Sequence, residues 1–255
     1  MSTTSPADSL VELAARKQLP HHQYTDPATV RWITANRPVF SDGLPPRLRA
    51  TSQGLLLRSA IPADWLAEEK CLDSLHGIRH AMRTAVLAAL LAEAAGLSDD
   101  DTATLVLAAA VHDCQRLHDK DDQGHGARAA IWLTDNADTV WSHFGLVATP
   151  SRITTAATAV RLHDLPYDAF SEDDQADHAR AEGICDLLKA ADALDRYRLP
   201  KLSWWPDPAH IRTEVFSGLR ATAFELVVRS ETTWLAGATS TEAVLAGLEQ
   251  LELTG

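Results

Sequence analysis

The chain has little of what builds a secreted, membrane-spanning or nucleic-acid-binding protein. Its three cysteines, Cys71, Cys114 and Cys185, are odd in number and widely spaced, which excludes a disulfide framework and a Cys-x-x-Cys zinc site. Positive charge is scarce: the formal net charge is −12, so no broad basic stripe is available to displace counterions from a nucleic-acid backbone. A small anionic ligand is still compatible, because local charge can overcome the overall field. No stretch reaches about 18 uncharged apolar residues, and MSTTSPADSL lacks the basic region and apolar core of a leader. Neither a membrane partner nor a signal peptide is therefore expected, and the reading is cytoplasmic. There is no internal repeat, low-complexity tract or long alternating β pattern. What is there is ordinary globular composition, 45% hydrophobic and 23% charged over 255 residues, enough for one substantial core.

The expected fold is all-α, in one structural domain: a less regular N-terminal extension over 1–70, a helical core over 71–255, and helices at the C-terminus. Prolines 20, 27, 38, 45, 46 and 62 punctuate the extension. Val30 to Thr34 reads as a helical turn or two, and Leu55 to Leu57 as a short strand or extended piece. This extension is expected to cover one side of the core and to form part of a substrate pocket. From Asp73 an apolar periodicity of 3.6 runs through Leu75, Ile78, Met82, Val86, Leu90 and Leu91 to Gly96. Ser98 with Asp101 then caps a second helix of near-continuous Ala, Val and Leu. Further helices are expected from His125, over ADTVWSHF, from Thr149-Pro150 to Pro166, from Ser171 with Asp174 through to Pro200, and, after Asp207-Pro208 and Thr239 with Glu242, at the C-terminus.

The chain is organised around LVLAAAVHDCQRLHDKDDQGHGARA, Leu105 to Ala129. A buried apolar helix that ends in the adjacent pair His112-Asp113 is placed to deliver two ligands to a metal, with the rest arriving from other segments. His76 and His80 upstream, four apart on one helical face, and His163 and Asp192 downstream are able to supply them. Each of His80, His112, Asp113, His163 and Asp192 is flanked by small or aliphatic residues, where an ionisable group is costly unless compensated. The bland alternatives are a core histidine bonded to a carbonyl and, for Asp192, an i,i+4 pair with Arg196. Asp195 belongs to a second layer or to the surface. His118, His143 and His178 stand in polar or helix-end contexts where solvation suffices. Cys114 and Cys185 read as buried small hydrophobes. Trp204 and Trp205 either line a pocket or pack a loop.

The order His80, His112-Asp113, Asp192 resembles the HD domain, an all-helical superfamily of metal-dependent phosphohydrolases, over about half the chain. HGIRHAMR followed by HDCQRLHDKDDQGHGARAA is similar to a bacterial group with HGxxHxxR, HDxxR and an HG helix start. The resemblance implies a ligand set of His80, His112, Asp113, His125, His163 and Asp192, suited to two metals with Asp113 bridging. The GYP motif of the HD-GYP phosphodiesterases is absent, so cyclic-dinucleotide specificity is not carried over.

Imidazole and carboxylate without thiolate suit one or two divalent ions from Mn, Fe, Co, Ni and Zn. By the resemblance, Arg116, where many HD proteins have lysine, is expected to clamp the substrate phosphate, or else to pair with Asp119 at a helix end. His76 is expected to act as general acid or to orient water, Asp113 to take part in catalysis, Arg196 to bind substrate, and Asp122 to position His125 from a second layer. The reaction implied is hydrolysis of a small phosphorylated metabolite, such as a nucleotide. An oxygenase of the di-iron type, resembling myo-inositol oxygenase, is the alternative, although His125 follows His112 more closely than in those enzymes. A binding module that retains the metal without catalysis is the third reading. A homo-oligomer is compatible with all three.

Overall fold

A computed structural model describes residues 8–40 and 47–254. The first seven residues, part of the segment read for a leader, and the Pro45-Pro46 pair lie outside the described residues. The described residues contain eleven α-helices joined by turns and short 3-10 segments, and no strand. Among the described residues no helix is long and apolar enough to cross a membrane.

The centre is a pair of helices with almost no polar face. α4 spans Ile78–Ala95 and α5 spans Asp99–Val111, and both are buried along most of their length. Ala85 to Ala92 have essentially no exposed surface. Small residues allow the two backbones to approach closely, and other helices must cover the remaining sides. α6 (His125–Asp135), α7 (Ala137–Phe144), α8 (Pro150–Leu162) and α9 (Glu172–Asp195) follow in order. α9 packs against α4, α5 and α8, and α6 lies on α8. α10 (Phe216–Leu235) and α11 (Ser240–Gln250) pair with each other and close the far side of α4.

Local chemistry sets most boundaries. Gly96 ends α4 in the left-handed region at φ 71°, the usual glycine stop. The Thr149 side chain accepts from the Arg152 N–H, with Pro150 at the first helical position. Ser171 with Asp174, and Thr239 with Glu242, form complete capping boxes. Ser98 caps α5 through the Asp101 N–H, but its hydroxyl donates to the Asp101 carboxylate in return, so the expected box is only half made.

Several expectations need correction. α4 begins at Ile78, after Gly77, so Asp73 to His76 form turns and the periodicity from Leu75 overstates the helix. α5 ends at Val111, with His112 as its cap and Asp113 in the following turn. Leu55 to Leu57 is not extended: α3, Ala50–Leu56, is helical and packs on α5. A three-residue apolar run cannot by itself separate strand from helix, and this one has no partner strand among the described residues. Asp207-Pro208 starts only a 3-10 turn, Pro208–His210, and α10 begins later. α9 is kinked at Ala181, whose φ and ψ are −130° and 21°.

The N-terminal part also holds α1 (Leu10–Ala15), which the sequence pattern did not announce, and α2 (Pro27–Ala35), which contains the expected Val30–Thr34 turns. α2 lies on α10 and α3 on α5. Between α1 and α2 the chain is tied to the turn beyond α5. The Gln23 N–H donates to Asp119 Oδ2 at 2.7 Å and the Asp119 N–H to the His21 carbonyl at 2.7 Å.

Candidate metal centre

Five helix ends meet at one point beneath a cavity of about 730 Å³. His80 comes from the first turn of α4, His112 and Asp113 from the end of α5, His125 from the start of α6, and His163 from the end of α8. Asp192 reaches the same point from the last turn of α9. Asp192 therefore projects inward rather than pairing with Arg196.

Each imidazole is locked in the same tautomer. The Nδ1–H of His112 donates to the Ala109 carbonyl, that of His125 to the Asp122 carbonyl and that of His163 to the Val160 carbonyl, each at 2.7 Å. His80 Nδ1–H donates to Asp195 Oδ2 at 2.8 Å. A carbonyl or carboxylate oxygen only accepts, so Nδ1 carries the proton and Nε2 keeps its lone pair. Yet His80 Nε2 lies 3.0 Å from His112 Nε2, and His125 Nε2 lies 3.1 Å from His163 Nε2. Two lone pairs that face each other repel unless a cation lies against them. Burial pushes the His112 imidazole down to about 3, so a proton is a poor candidate for the cation between His80 and His112; at the other pair burial lowers His125, but Asp113 outweighs it and holds that imidazole above its ordinary value.

Asp113 joins the two pairs. Its Oδ2 lies 3.4 Å from His80 Nε2 and 3.8 Å from His112 Nε2; its Oδ1 lies 2.9 Å from His125 Nε2 and 3.4 Å from His163 Nε2. Asp192 Oδ1 completes the first group, 3.4 Å from His80 Nε2 and 3.9 Å from His112 Nε2. Ligand atoms about 2.1 Å from a shared ion, at the angles of four- to six-coordination, are about 3.0 to 3.4 Å apart. Most donor spacings fall within about 0.1 Å of that range, the exceptions being His112 Nε2 to Asp113 Oδ2 at 3.8 Å and to Asp192 Oδ1 at 3.9 Å, and Asp113 Oδ1 is buried with no hydrogen-bond partner. These buried groups are able to hold a metal ion. Burial alone would raise the Asp113 carboxyl, but Arg116, His112 and His125 outweigh it and hold the group well below the usual carboxylate range.

The surrounding residues fall into place less evenly. Asp195 is fully buried and is not a surface residue; Arg83 donates to it through Nε and Nη2. Asp122 supports His125 with its backbone carbonyl and not its carboxylate, which is taken by the Leu117 N–H and Arg128 Nη2. His76 precedes α4 instead of lying one helical turn before His80; its Nδ1–H donates to Asp119 Oδ1 at 2.9 Å. Arg116 is not paired with Asp119. Its Nε and Nη2 donate to the His118 and Lys120 carbonyls, and its Nη1 lies over the His125 ring, 3.0 Å from Nε2 and 3.4 Å from Nδ1. Arg196 lies at the exposed rim, with Nε on the Trp204 carbonyl. Trp204 lines the cavity, whereas Trp205 packs edge-on to Trp32 and Tyr197. His178 is buried on Asp186 Oδ1 at 2.8 Å, so solvation does not satisfy it. Cys114 and Cys185 are buried thiols pushed up to about 12 by burial, as small hydrophobes should be.

No family model, curated protein or solved structure matches this chain.

Sequence reasoning missed a set of cations. Lys17, Lys120, Lys201 and Arg198 join Arg116 and Arg196 in lining the cavity. Arg198 is buried, donates through Nε to the Leu75 carbonyl at 2.7 Å, and holds Nη1 3.3 Å from Asp195 Oδ2. Burial pulls its guanidinium below its ordinary value. Lys17 follows α1 in the left-handed region at φ 58°, where glycine is the easier residue. These positions come from three separated segments, and nothing in the linear sequence gathers them. The Arg-Tyr-Arg run after α9 is the one local hint.

Proposed function

We propose that the protein is a metal-dependent phosphohydrolase of the HD type, acting on a small phosphate ester such as a nucleotide. The carrying observation is the pair of facing Nε2 lone pairs, His80 with His112 and His125 with His163, arranged on the two oxygens of Asp113. Such a donor set calls for a divalent ion of the Mn, Fe, Co, Ni or Zn kind. When bound, the ion lowers the pKa of water and polarises a phosphoryl oxygen.

The rest of the cavity supports an anionic substrate. Arg198, Arg196, Lys17, Lys120 and Lys201 supply positive charge around a site whose floor is acidic. Arg198 lends charge from beneath the cavity, because its Nη1 is itself buried and lies 3.3 Å from Asp195 Oδ2. Arg116 contributes charge, but three of its nitrogens are already engaged, so direct contact with a phosphoryl oxygen is better assigned to Arg196 and the lysines at the exposed rim. His76 gives its Nδ1 proton to Asp119 and keeps Nε2 as an acceptor. That favours holding or taking a proton from water over acting as general acid. Trp204 offers a flat apolar wall for a sugar or base. The oxygenase alternative uses the same six side chains, and the cation-lined cavity is the observation that favours phosphate over it.

The test is phosphate release from a panel of nucleotides, sugar phosphates and a chromogenic phosphate ester by protein reconstituted separately with each metal. At least one ester should turn over with metal and not with chelator. Asp113→Ala should reduce the rate by about 10³-fold or more, and Arg196→Ala should raise KM by about tenfold or more, as loss of a charge-assisted contact does. No release from any ester, or metal-independent release, would overturn the proposal.

A further inference from the structure

The two halves of the centre are unequal. The first has two imidazoles, Asp192 Oδ1 and Asp113 Oδ2. The second has two imidazoles and only Asp113 Oδ1. The next carboxylate, Asp164, lies 3.3 Å from His125 Nδ1, on the protonated side of the ring and away from the converging lone pairs. Into the second half comes the Arg116 guanidinium. Its Nη1 is 3.0 Å from His125 Nε2 and 3.5 Å from Asp113 Oδ1, the two atoms that a second ion would need.

Arg116 is not a surface side chain that merely strays there. It is buried, and the His118 and Lys120 carbonyls accept from Nε and Nη2. Those carbonyls belong to the turn between α5 and α6, so the guanidinium is built into the loop that joins Asp113 to His125. Its Nη1 lies 3.0 Å from His125 Nε2 and 3.4 Å from His125 Nδ1, so the guanidinium sits over the face of that ring, beside the Nε2 lone pair, and places positive charge where a second ion would lie; among the described residues none of the other three imidazoles has a guanidinium against it in this way.

We infer that Arg116 is the resident cation of the second half-site, so that the protein holds one ion tightly, at His80, His112, Asp192 and Asp113, and a second only in competition with the guanidinium. The inference rests on the metal reading above. Charge balance supports it. One divalent ion and Arg116 together face the carboxylates of Asp113 and Asp192; a further divalent ion would add two positive charges without any new carboxylate on the converging side. Arg116 therefore sets metal stoichiometry, in addition to contributing charge to the cavity.

The experiment is titration of metal-free protein with Mn(II), with free ion followed by electron paramagnetic resonance. Wild type should bind one ion tightly and a second at least tenfold more weakly. Arg116→Ala should tighten the second step at least tenfold and show the spin-coupled signal of two nearby ions; Arg116→Gln, which keeps donors for the loop carbonyls, provides the same comparison if the alanine variant does not fold. Adding His125→Ala should remove the gain. Two equally tight ions in wild type would overturn the inference whatever the variants do. So would a second step left unchanged in folded Arg116 variants, while the metal reading would stand. Wild type that binds no ion would overturn both.

Discussion

Gly77 and Gly126 each precede or follow a histidine of the centre, and each is glycine because another chain segment passes too close for a side chain. A Cβ on Gly77 would lie 2.2 Å from the Cys71 and Leu72 carbonyl oxygens. A Cβ on Gly126 would lie 2.7 Å from Asp164 Oδ1, 2.8 Å from the Val160 carbonyl and 3.1 Å from His163 Nδ1. The last two are the bonded pair that fixes the His163 tautomer. Gly126→Ala should therefore force α6 away from α8, with a stability loss of about 1–3 kcal/mol as in overpacked sites, read by denaturant unfolding. Metal affinity should fall with it, and unchanged stability and affinity would mean that the two helices do not need this approach. Asp195→Asn acts on the opposite ring. It removes the charge that holds the His80 Nδ1–H and should weaken metal binding by about 10–100-fold, measured by competition with a chromogenic chelator. Retained affinity would show that the Asp195 charge does not tune His80.

Between helices, the support for His80 extends away from the cavity. Arg83 links Asp195 to Glu231 of α10, and Arg79 donates to Glu231 through Nε at 3.1 Å. Arg79 also donates through Nη1 to Ser240 at the start of α11 and stacks over Trp234 at 3.8 Å. The C-terminal helix pair thus closes a buried network that begins at a candidate ligand. Glu231→Gln leaves two buried guanidinium groups undercompensated and should cost about 3–5 kcal/mol, read as a lowered unfolding midpoint. Burial would raise the Glu231 carboxyl, but Arg79 and Arg83 outweigh it and the group is held below its ordinary value. A depressed folded-state value contributes stability that is present above the unfolded value, about 4.3, and is lost as pH falls through the folded one. The difference between wild type and Glu231→Gln should accordingly shrink on acidification below about pH 4.3; a constant difference would argue against an ionised Glu231.

Much of this element layer is legible in the sequence. Helix starts with side-chain caps, such as those at Ser171 and Thr239, and the boundaries of α6 and α7 follow from local chemistry. So do five of the six donors, because ionisable residues among aliphatic ones are few and costly; His125 stands in a polar stretch and enters the set only through the family resemblance. What escapes is decided by contacts far apart in sequence. The turn that takes Asp113 out of α5, the backbone carbonyl of Asp122 as partner of His125, and the helical Leu55 depend on neighbours that no window of sequence contains. Arg198 and Lys17 reach the cavity only because α9 and the end of α1 converge on it.

Over the whole molecule, a net charge of −12 coexists with a cavity lined by six Lys and Arg side chains. The surface field disfavours polyanions, while the local cations favour a small anion able to enter. The acidic floor and clustered lone pairs are costly in a chain without metal, so ion binding should stabilise the fold. At 100 times its dissociation constant a single-site ligand adds about 2.7 kcal/mol. Thermal unfolding with and without Mn(II), Co(II) or Zn(II) should show a clear rise in midpoint that chelator reverses, and the rise should vanish in Asp113→Ala.

The most direct measurement of the central claim is the metal content of protein purified without chelator or metal-affinity resin, wild type beside His112→Ala. At least one divalent transition ion per wild-type chain, and its loss from folded His112→Ala, is the predicted result. A folded wild-type chain that carries no such ion and takes none up on dialysis against each metal would contradict the claim.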